Sequence, residues 1–248
     1  MKRCILICFV FLQCQSLIGC SYEPFRLPVV DNTDVTQATV SWEANPKETE
    51  ESPTESTAVV LQIPDDDDFV SVNLYAPEIK VSLSYATTDN FTGKVIYKFT
   101  DAYLRYGTLT KLIKVNQALN EQGVALVIWD AFRPVSAQQK LWEVCPDPKY
   151  VSHPETGNRT HCRGNTVDVT LCDLETGELL DMPTAFDDFS KRADRDYSDC
   201  TKVQKKNALL LEKTMKEYGF KPYSAEWWHY TDKNDYPVDE NFDPALLK

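Results

Sequence analysis

Two short segments in the middle of the chain have the polarity patterns of β-strands. Residues 125–129 (Ala-Leu-Val-Ile-Trp) are continuously apolar, which is typical of a strand buried on both faces. Residues 166–171 alternate instead, so their side chains divide between the two faces of a sheet. Val167, Val169 and Leu171 make an apolar face, and Thr166, Asp168 and Thr170 make a polar one. The pattern predicts that the apolar face packs on the core and that Asp168 lies at a polar surface of the sheet.

Three longer segments have the apolar spacing of amphipathic helices. Residues 101–120 repeat leucine and isoleucine at helical intervals and are followed by a glycine, which is a common stop signal. Residues 136–144 come shortly after Pro134, and residues 202–218 end at Gly219. Because strands and helices follow one another without the regular spacing of βαβ units, the chain is predicted to have an α+β fold.

The first twenty residues have the composition of an export signal. Lys2 and Arg3 precede an apolar run at residues 4–12, which is too short to span a bilayer. The string Leu-Ile-Gly-Cys20 that follows resembles a bacterial lipobox, in which the cysteine becomes the lipidated first residue of the mature protein. We therefore expect residues 1–20 to be a lipoprotein signal peptide and Cys20 to anchor an exported protein to a membrane, facing the periplasm. The alternative is an ordinary signal peptide with a chance cysteine.

Residues 21–68 carry most of the acidity of the chain. They include 12 acidic and 2 basic residues, a net charge of −10, in a chain whose formal net charge is −12. The segment is rich in Thr, Ser, Pro and Glu, and such a composition buries too little apolar surface to fold. We predict a solvated tether, with residues 59–63 as a candidate edge strand, followed by one folded domain over residues 69–248. The acidic balance argues against nucleic acid as a partner, and no obligate protein partner is inferred.

The predicted domain contains four cysteines: Cys145, Cys162, Cys172 and Cys200. In an oxidising compartment they could form two disulfides. The sequence leaves all three pairings open.

The chain has only three histidines, and two of them lie close to carboxylates in sequence. His161 precedes Asp168, and Glu226 precedes His229. Two imidazoles and one carboxylate would give a zinc ion three protein ligands and leave the fourth position open for water, which is the pattern of a catalytic site. Either pair alone would more commonly be structural, so the combination is what indicates chemistry. The third histidine, His153, lies in a polar stretch and is expected at the surface.

Arg133 is a candidate for binding negative charge. It follows the predicted strand at residues 125–129 and precedes Pro134, which restrains its backbone. A guanidinium at the end of a strand is suited to bind a carboxylate or a developing oxyanion. A salt bridge with Asp130 is the alternative interpretation.

Five segments of the chain resemble, in order, the motifs of the D-alanyl-D-alanine dipeptidase family, the VanX-like zinc peptidases. They are Tyr85-Ala-Thr-Thr-Asp-Asn-Phe-Thr-Gly93, Trp129-Asp-Ala-Phe-Arg-Pro134, His161-x-x-Gly164-x-x-x-Asp168, Phe186-Asp187 and Glu226-Trp-Trp-His-Tyr230. The resemblance covers nearly the whole predicted domain. It implies a zinc D,D-peptidase (hedgehog-like) fold, in which a small, mostly antiparallel sheet is flanked by helices.

The resemblance also implies a role for each motif residue. One zinc ion would be held by three ligands, which are His161, Asp168 and His229. Glu226 would be the general base for a metal-activated water, and Arg133 would stabilise the oxyanion. Asp187 would receive the free amino group of the dipeptide, and Tyr85 would lie near the substrate. The implied reaction is hydrolysis of the D-alanyl-D-alanine dipeptide in cell-wall peptide turnover.

Several residues depart from the family pattern, among them Phe132 and Ala131 in place of a tyrosine and a glycine, and two other functions stay open. Arg159, Thr166 and Pro183 stand where the family commonly has serine, alanine and glycine, which leaves the substrate preference undecided. One alternative is a D,D-carboxypeptidase or endopeptidase acting on peptidoglycan stem peptides, for which an amine-binding Asp187 would have no use. The other is a non-catalytic metal-binding lipoprotein, which would need neither a proton-carrying carboxylate nor a free guanidinium.

Overall fold

A computed structural model describes residues 63–247. Seven strands and four helices follow one another in this range. The strands are β1 (Phe69–Ser71), β2 (Lys80–Val81), β3 (Tyr103–Arg105), β4 (Val124–Asp130), β5 (Thr166–Asp173), β6 (Phe220–Pro222) and β7 (His229–Asp232). The helices are α1 (Val72–Tyr75), α2 (Tyr106–Asn120), α3 (Val135–Val144) and α4 (Lys202–Glu217). None of the helices within residues 63–247 is long and apolar enough to cross a membrane.

The main sheet has five strands in the order β2-β4-β5-β7-β6, and β1 pairs with β3 in a separate two-stranded ribbon. Three of the four pairings in the main sheet are antiparallel, whereas β2 joins the edge in parallel with β4. The predicted α+β class is therefore confirmed, but the sheet is mixed and is larger than expected. The pairing of β4 with β5 shifts register between Ile128 and Asp130, which marks an irregularity where β4 approaches the site.

The helix predicted at residues 101–120 begins later than its apolar spacing indicated. Tyr103–Arg105 form β3, and α2 starts directly afterwards at Tyr106. Leu104 is fully buried in the two-stranded ribbon. This apolar residue therefore belongs to a strand, although the helical spacing had assigned it to the helix. The remaining pattern is as predicted, since α2 buries Leu109, Leu112 and Leu119 against the core.

Strand β5 is covered on both faces. All residues from Thr166 to Cys172 are buried, and Asp168 retains only 3% of its exposure. The polar surface predicted for Asp168 is therefore the wall of a cavity and is enclosed by the fold. A polar side chain in such a place needs partners, since burial of an unpaired carboxylate is costly.

The ends of α3 and α4 follow from local sequence. Helix α3 starts right after Pro134, which has no N–H to leave unpaired. Helix α4 starts with a capping box in which Thr201 and Gln204 satisfy each other's backbone N–H groups. It ends before Gly219, whose φ of 96° is in the left-handed region that favours glycine.

The predicted tether lies mostly outside the described residues, and its last residues contact the fold. The signal peptide, Cys20 and residues 21–62 of the predicted tether lie outside the described residues. The last aspartates of the tether contact the fold, because the carbonyls of Asp66 and Asp68 accept backbone hydrogen bonds from Gly107 and Tyr106 at 2.9 and 2.8 Å.

The four cysteines of the fold are free thiols. Neither of the two disulfides that the sequence allows is therefore present in residues 63–247.

Candidate active site

The candidate metal ligands are brought together by one strand pair and one turn. Asp168 on β5 and His229 on β7 are direct cross-strand partners in the antiparallel register. His161 comes from the short helical turn Thr160–Arg163, which ends at Gly164. Gly164 has φ of 75°, and a Cβ there would clash with the ring of Phe69, so only glycine lets the chain return from the turn into β5.

The donor atoms of these three residues face one another at the spacing of a metal site. His161 Nε2 lies 3.3 Å from Asp168 Oδ2, His229 Nδ1 lies 3.0 Å from Asp168 Oδ1, and the two nitrogens are 3.4 Å apart. Metal–ligand bonds of 2.0–2.1 Å in a tetrahedron place neighbouring ligand atoms about 3.3 Å apart. Asp168 Oδ1 is buried and makes no hydrogen bond, although His229 Nδ1 is only 3.0 Å away, and such an unsatisfied oxygen is expected of an atom that binds a cation.

A second hydrogen bond orients the first histidine. His161 Nδ1 donates to the carbonyl of Ala131 at 2.8 Å, so the lone pair of Nε2 points toward Asp168 and His229. Burial raises the pKa of Asp168, but the adjacent imidazoles of His161 and His229 outweigh it and lower that pKa. The residues therefore fit a divalent zinc-like cation bound by two nitrogens and a carboxylate.

Glu226 is a second carboxylate beside this cluster. Its Oε2 lies 3.6 Å from His229 Nδ1, and the residue is 7% exposed. Burial, followed by the charges of Asp168 and Asp187, raises its pKa well above the usual value. The next residues, Trp227 and Trp228, are buried and hold the turn that carries Glu226. Glu226 is thus an ionisable group next to the donor set and outside the group of three close donors.

Arg133 makes the salt bridge with Asp130 that the sequence allowed, and it also lines the cavity. Its Nε and Nη2 donate to Asp130 Oδ2 at 3.1 and 2.6 Å, and its Nη1 donates to Gln138 at 3.0 Å. Tyr97 donates to the other oxygen of Asp130 at 2.6 Å, so that carboxylate is held on both sides. A guanidinium has five N–H donors, and two remain for a ligand in the cavity that Arg133 lines.

Tyr85 and Asp187 line the same cavity next to Arg133. The tyrosine hydroxyl donates to Asp187 Oδ2 at 2.9 Å, and the ring lies 5.2 Å from the Arg133 guanidinium carbon. Burial and the charge of Asp168 raise the pKa of Asp187 to about 7, although the hydrogen bond from Tyr85 acts in the other direction. Asp187 also has φ of 56°, a left-handed conformation that is uncommon outside glycine.

All seven residues predicted for the site line one cavity of about 580 Å³. They are Tyr85, Arg133, His161, Asp168, Asp187, Glu226 and His229. Next to the donor set, the carboxylates of Asp168, Asp187 and Glu226 repel one another and the buried guanidinium of Arg133 acts against this repulsion, which a bound cation would also reduce. His153 is not among the lining residues; its ring packs on Trp142 in a loop.

Sequence reasoning missed a residue that supports the ligand segment from behind. Arg195 donates to the carbonyl of His229 at 3.0 Å and to that of Tyr223 at 2.7 Å, which are the two ends of the turn carrying Glu226. It also pairs with Glu212 on α4. No motif surrounds Arg195, and only its place in a polar segment after the Phe186-Asp187 pair could have drawn attention to it.

Comparisons with known proteins identify relatives of this chain. The family model described as Peptidase_M15, D-ala-D-ala dipeptidase, matches residues 65–245. The D-alanyl-D-alanine dipeptidase of Escherichia coli (strain K12) is 38% identical over 166 residues, covering 67% of this chain and 85% of the relative. The dipeptidase of the same name from Streptomyces coelicolor is 32% identical over 199 residues, 71% of this chain and 96% of the relative. That of Enterococcus faecium is 29% identical over 184 residues, 66% and 91% respectively.

Proposed function

We propose that this chain hydrolyses the free D-alanyl-D-alanine dipeptide. The premise is that the chain belongs to the Peptidase_M15 family of D-Ala-D-Ala dipeptidases, which are zinc metallopeptidases. The observation that carries the proposal is the shared cavity of the His161, Asp168 and His229 donors with the carboxylates of Glu226 and Asp187. A three-ligand metal cluster, a proton carrier and an amine acceptor are what hydrolysis of a short free peptide requires.

The proposed metal is one zinc ion on His161, Asp168 and His229. When bound, zinc lowers the pKa of a water molecule to about 7 and polarises a carbonyl group. The three donor groups are positioned before the ion binds, because the strand register pairs Asp168 with His229 and a hydrogen bond to Ala131 orients His161.

Glu226 is the proposed proton carrier. Its carboxylate accepts a proton as the water oxygen bonds to the scissile carbonyl carbon, and it delivers that proton to the nitrogen as the C–N bond breaks. The products are two free amino acids, and Glu226 ends in the state in which it began. Its buried position keeps bulk water away from this transfer.

Arg133 and the Tyr85–Asp187 pair are proposed to bind the substrate. The two unused N–H groups of Arg133 would donate to the carbonyl oxygen as negative charge develops on it. Asp187 would accept the substrate ammonium, with Tyr85 holding the carboxylate in place by its 2.9 Å hydrogen bond. An ammonium binding at this depth without a carboxylate would be costly.

The proposed setting is cell-wall peptide turnover by an exported lipoprotein anchored through Cys20. Support for this setting comes from the sequence of residues 1–20 alone. An enzyme with an amine-binding carboxylate would act on released dipeptides, after other hydrolases have freed them.

A substrate panel tests the proposal. The purified zinc-loaded protein is assayed for amino acid release from D-Ala-D-Ala, L-Ala-L-Ala, N-acetyl-D-Ala-D-Ala and a stem pentapeptide ending in D-Ala-D-Ala. We expect cleavage of the free D,D-dipeptide and little cleavage of the others, because an acylated nitrogen cannot pair with Asp187. Preference for the pentapeptide would indicate a D,D-carboxypeptidase instead. Zinc binding without any cleavage would indicate the non-catalytic lipoprotein.

A further inference from the structure

Arg159 lies at the rim of the same cavity in an unusual backbone conformation. Its φ and ψ are both 47°, in the left-handed region that costs a non-glycine residue energy. Two hydrogen bonds hold it there: its N–H donates to Ser152 Oγ at 3.0 Å, and its carbonyl accepts from the Cys162 N–H at 3.0 Å. The backbone is therefore fixed two residues before His161, and the side chain, 17% exposed, lines the cavity.

The hydrogen bonds of the Arg159 side chain are incomplete. Its Nη1 donates to Glu240 Oε1 at 2.9 Å, and that glutamate is 54% exposed. Its Nε is buried and has no partner. A single contact with an exposed carboxylate is a weak interaction. A carboxylate that received Nε and Nη2 together would give Arg159 the paired geometry that a guanidinium favours.

The lining of the cavity includes one carboxylate, Asp187, and one guanidinium, Arg159, that are joined through a series of contacts. The residues between them are Tyr85, Arg133, Gln138 and Ser152, and the last two links use the Ser152 carbonyl and the Arg159 N–H. A free dipeptide at neutral pH is a zwitterion with an ammonium at one end and a carboxylate at the other. The lining thus contains a charge opposite to each end of such a molecule, Asp187 for the ammonium and Arg159 for the carboxylate.

We propose that Arg159 binds a substrate carboxylate and that Glu240 is an internal competitor which this carboxylate displaces. The proposal rests on the proposed function, since it assigns the remaining charged end of the dipeptide. The carboxylate has two sources: the terminal α-carboxylate of any dipeptide, or the side chain of an acidic C-terminal residue. Displacement of Glu240 turns the guanidinium toward the cavity and gives the buried Nε an acceptor.

The variants are chosen to preserve the fold. Arg159→Asn removes the charge but tolerates the left-handed backbone better than most residues. Arg159→Lys keeps the charge and loses the two-pronged geometry. Glu240→Gln removes the competing charge at an exposed position. Zinc content and thermal unfolding, measured for each variant, identify any that is misfolded.

Three substrates distinguish the sources of the carboxylate. With D-Ala-D-Ala, Arg159→Asn should raise KM about 10- to 100-fold with little change in kcat, and Arg159→Lys should fall between it and the wild type. With D-alanyl-D-alaninamide, Arg159→Asn should leave KM unchanged, because this substrate has no carboxylate. If only D-Ala-D-Glu loses affinity in the variant, the side-chain carboxylate is the ligand. Glu240→Gln should lower KM for the acids, and this gain should vanish when Arg159 is also Asn.

Equal effects of Arg159→Asn on D-Ala-D-Ala and its amide, or no effect on any of the three substrates, would overturn the proposal. A calorimetric titration separates its failure from that of the proposed function. The zinc-loaded Glu226→Gln variant, with and without Arg159→Asn, is titrated with D-Ala-D-Ala. Binding that weakens with Arg159→Asn, in a protein whose wild type cleaves no dipeptide, would support Arg159 and reject the hydrolase. Cleavage by the wild type without any dependence of Kd on Arg159 would do the reverse.

Discussion

Replacing Glu226 by glutamine should damage catalysis and stabilise the metal-free fold at the same time. Glutamine has nearly the same shape and can occupy the pocket beside His229, but it cannot carry a proton. Loss of a positioned acid–base group typically lowers kcat by 10²- to 10⁴-fold, a barrier increase of about 3–5 kcal/mol. Because Glu226 is not among the three close donors, zinc content should stay at one ion per chain.

The stability change follows from the direction of the Glu226 pKa. Burial and the charges of Asp168 and Asp187 raise the pKa of this carboxyl in the folded chain. A carboxyl with a raised folded pKa binds its proton more tightly in the folded state than in the unfolded one. Stability is then greatest at pH values below the unfolded pKa, and it falls as the pH rises through that value toward the folded pKa. Glutamine removes this loss, so the metal-free variant should be the more stable protein at neutral pH.

The assay for this prediction pairs kinetics with denaturation. Turnover of D-Ala-D-Ala by the zinc-loaded proteins is compared with urea unfolding of the metal-free proteins at pH 5 and pH 7.5. The gain in free energy of unfolding should be larger at pH 7.5 than at pH 5. Arg195→Lys is a useful comparison, because it disturbs the support of the same turn without removing the proton carrier. Retention of full kcat by Glu226→Gln, or loss of its zinc, would refute the assigned role.

Three further predictions concern the metal, the amine acceptor and the tether. His229→Ala should abolish stoichiometric zinc binding and activity, and chelation should inactivate the wild type; full activity after metal removal would contradict the site. Asp187 binds an ammonium only as a carboxylate, and its pKa is raised to about 7, so kcat/KM for free D-Ala-D-Ala should fall as the pH drops through that range. A bound cation would shift this fall in kcat/KM to lower pH. Asp187→Asn should keep zinc but make kcat/KM nearly independent of pH in that range. Cys20→Ala should release the protein from membranes, and a chain beginning at residue 63 should fold and hydrolyse the dipeptide; unchanged membrane extraction of Cys20→Ala would reject the lipid anchor.

Local signals predicted the three longer helices and the two longest strands. The apolar run at residues 125–129 forms the centre of β4, and the alternation from Thr166 lies in β5. Helix α4 begins with a capping box and ends before Gly219, and this glycine was the signal that predicted its end. Strand β3 was missed because Leu104 also fits the helical spacing of α2, and only its pairing with β1 decides between the two. Long-range pairing overrides local periodicity in such cases.

The candidate site was found through motifs, whereas its supports were not. The motif residues meet as the order of the segments indicated, with Asp168 opposite His229. Tyr97 and Arg195 could not be predicted, because their partners lie far away in sequence and no local pattern marks them. Tyr97, for example, bonds a carboxylate 33 positions away. The burial of Asp168 on a face that alternation marks as polar has the same origin, since only the assembled cavity encloses it.

The cross-strand pairing of Asp168 with His229 has a consequence for how the protein folds. His161 and His229 are 68 positions apart, so no local segment can gather the donors before the chain has assembled. Closing so long a loop is slow, and the ion cannot act as an early nucleus. Zinc should therefore leave the folding rate nearly unchanged and slow unfolding instead, because it stabilises contacts that form only after the transition state of folding. Stopped-flow folding with and without the metal would show the difference in the unfolding limb alone.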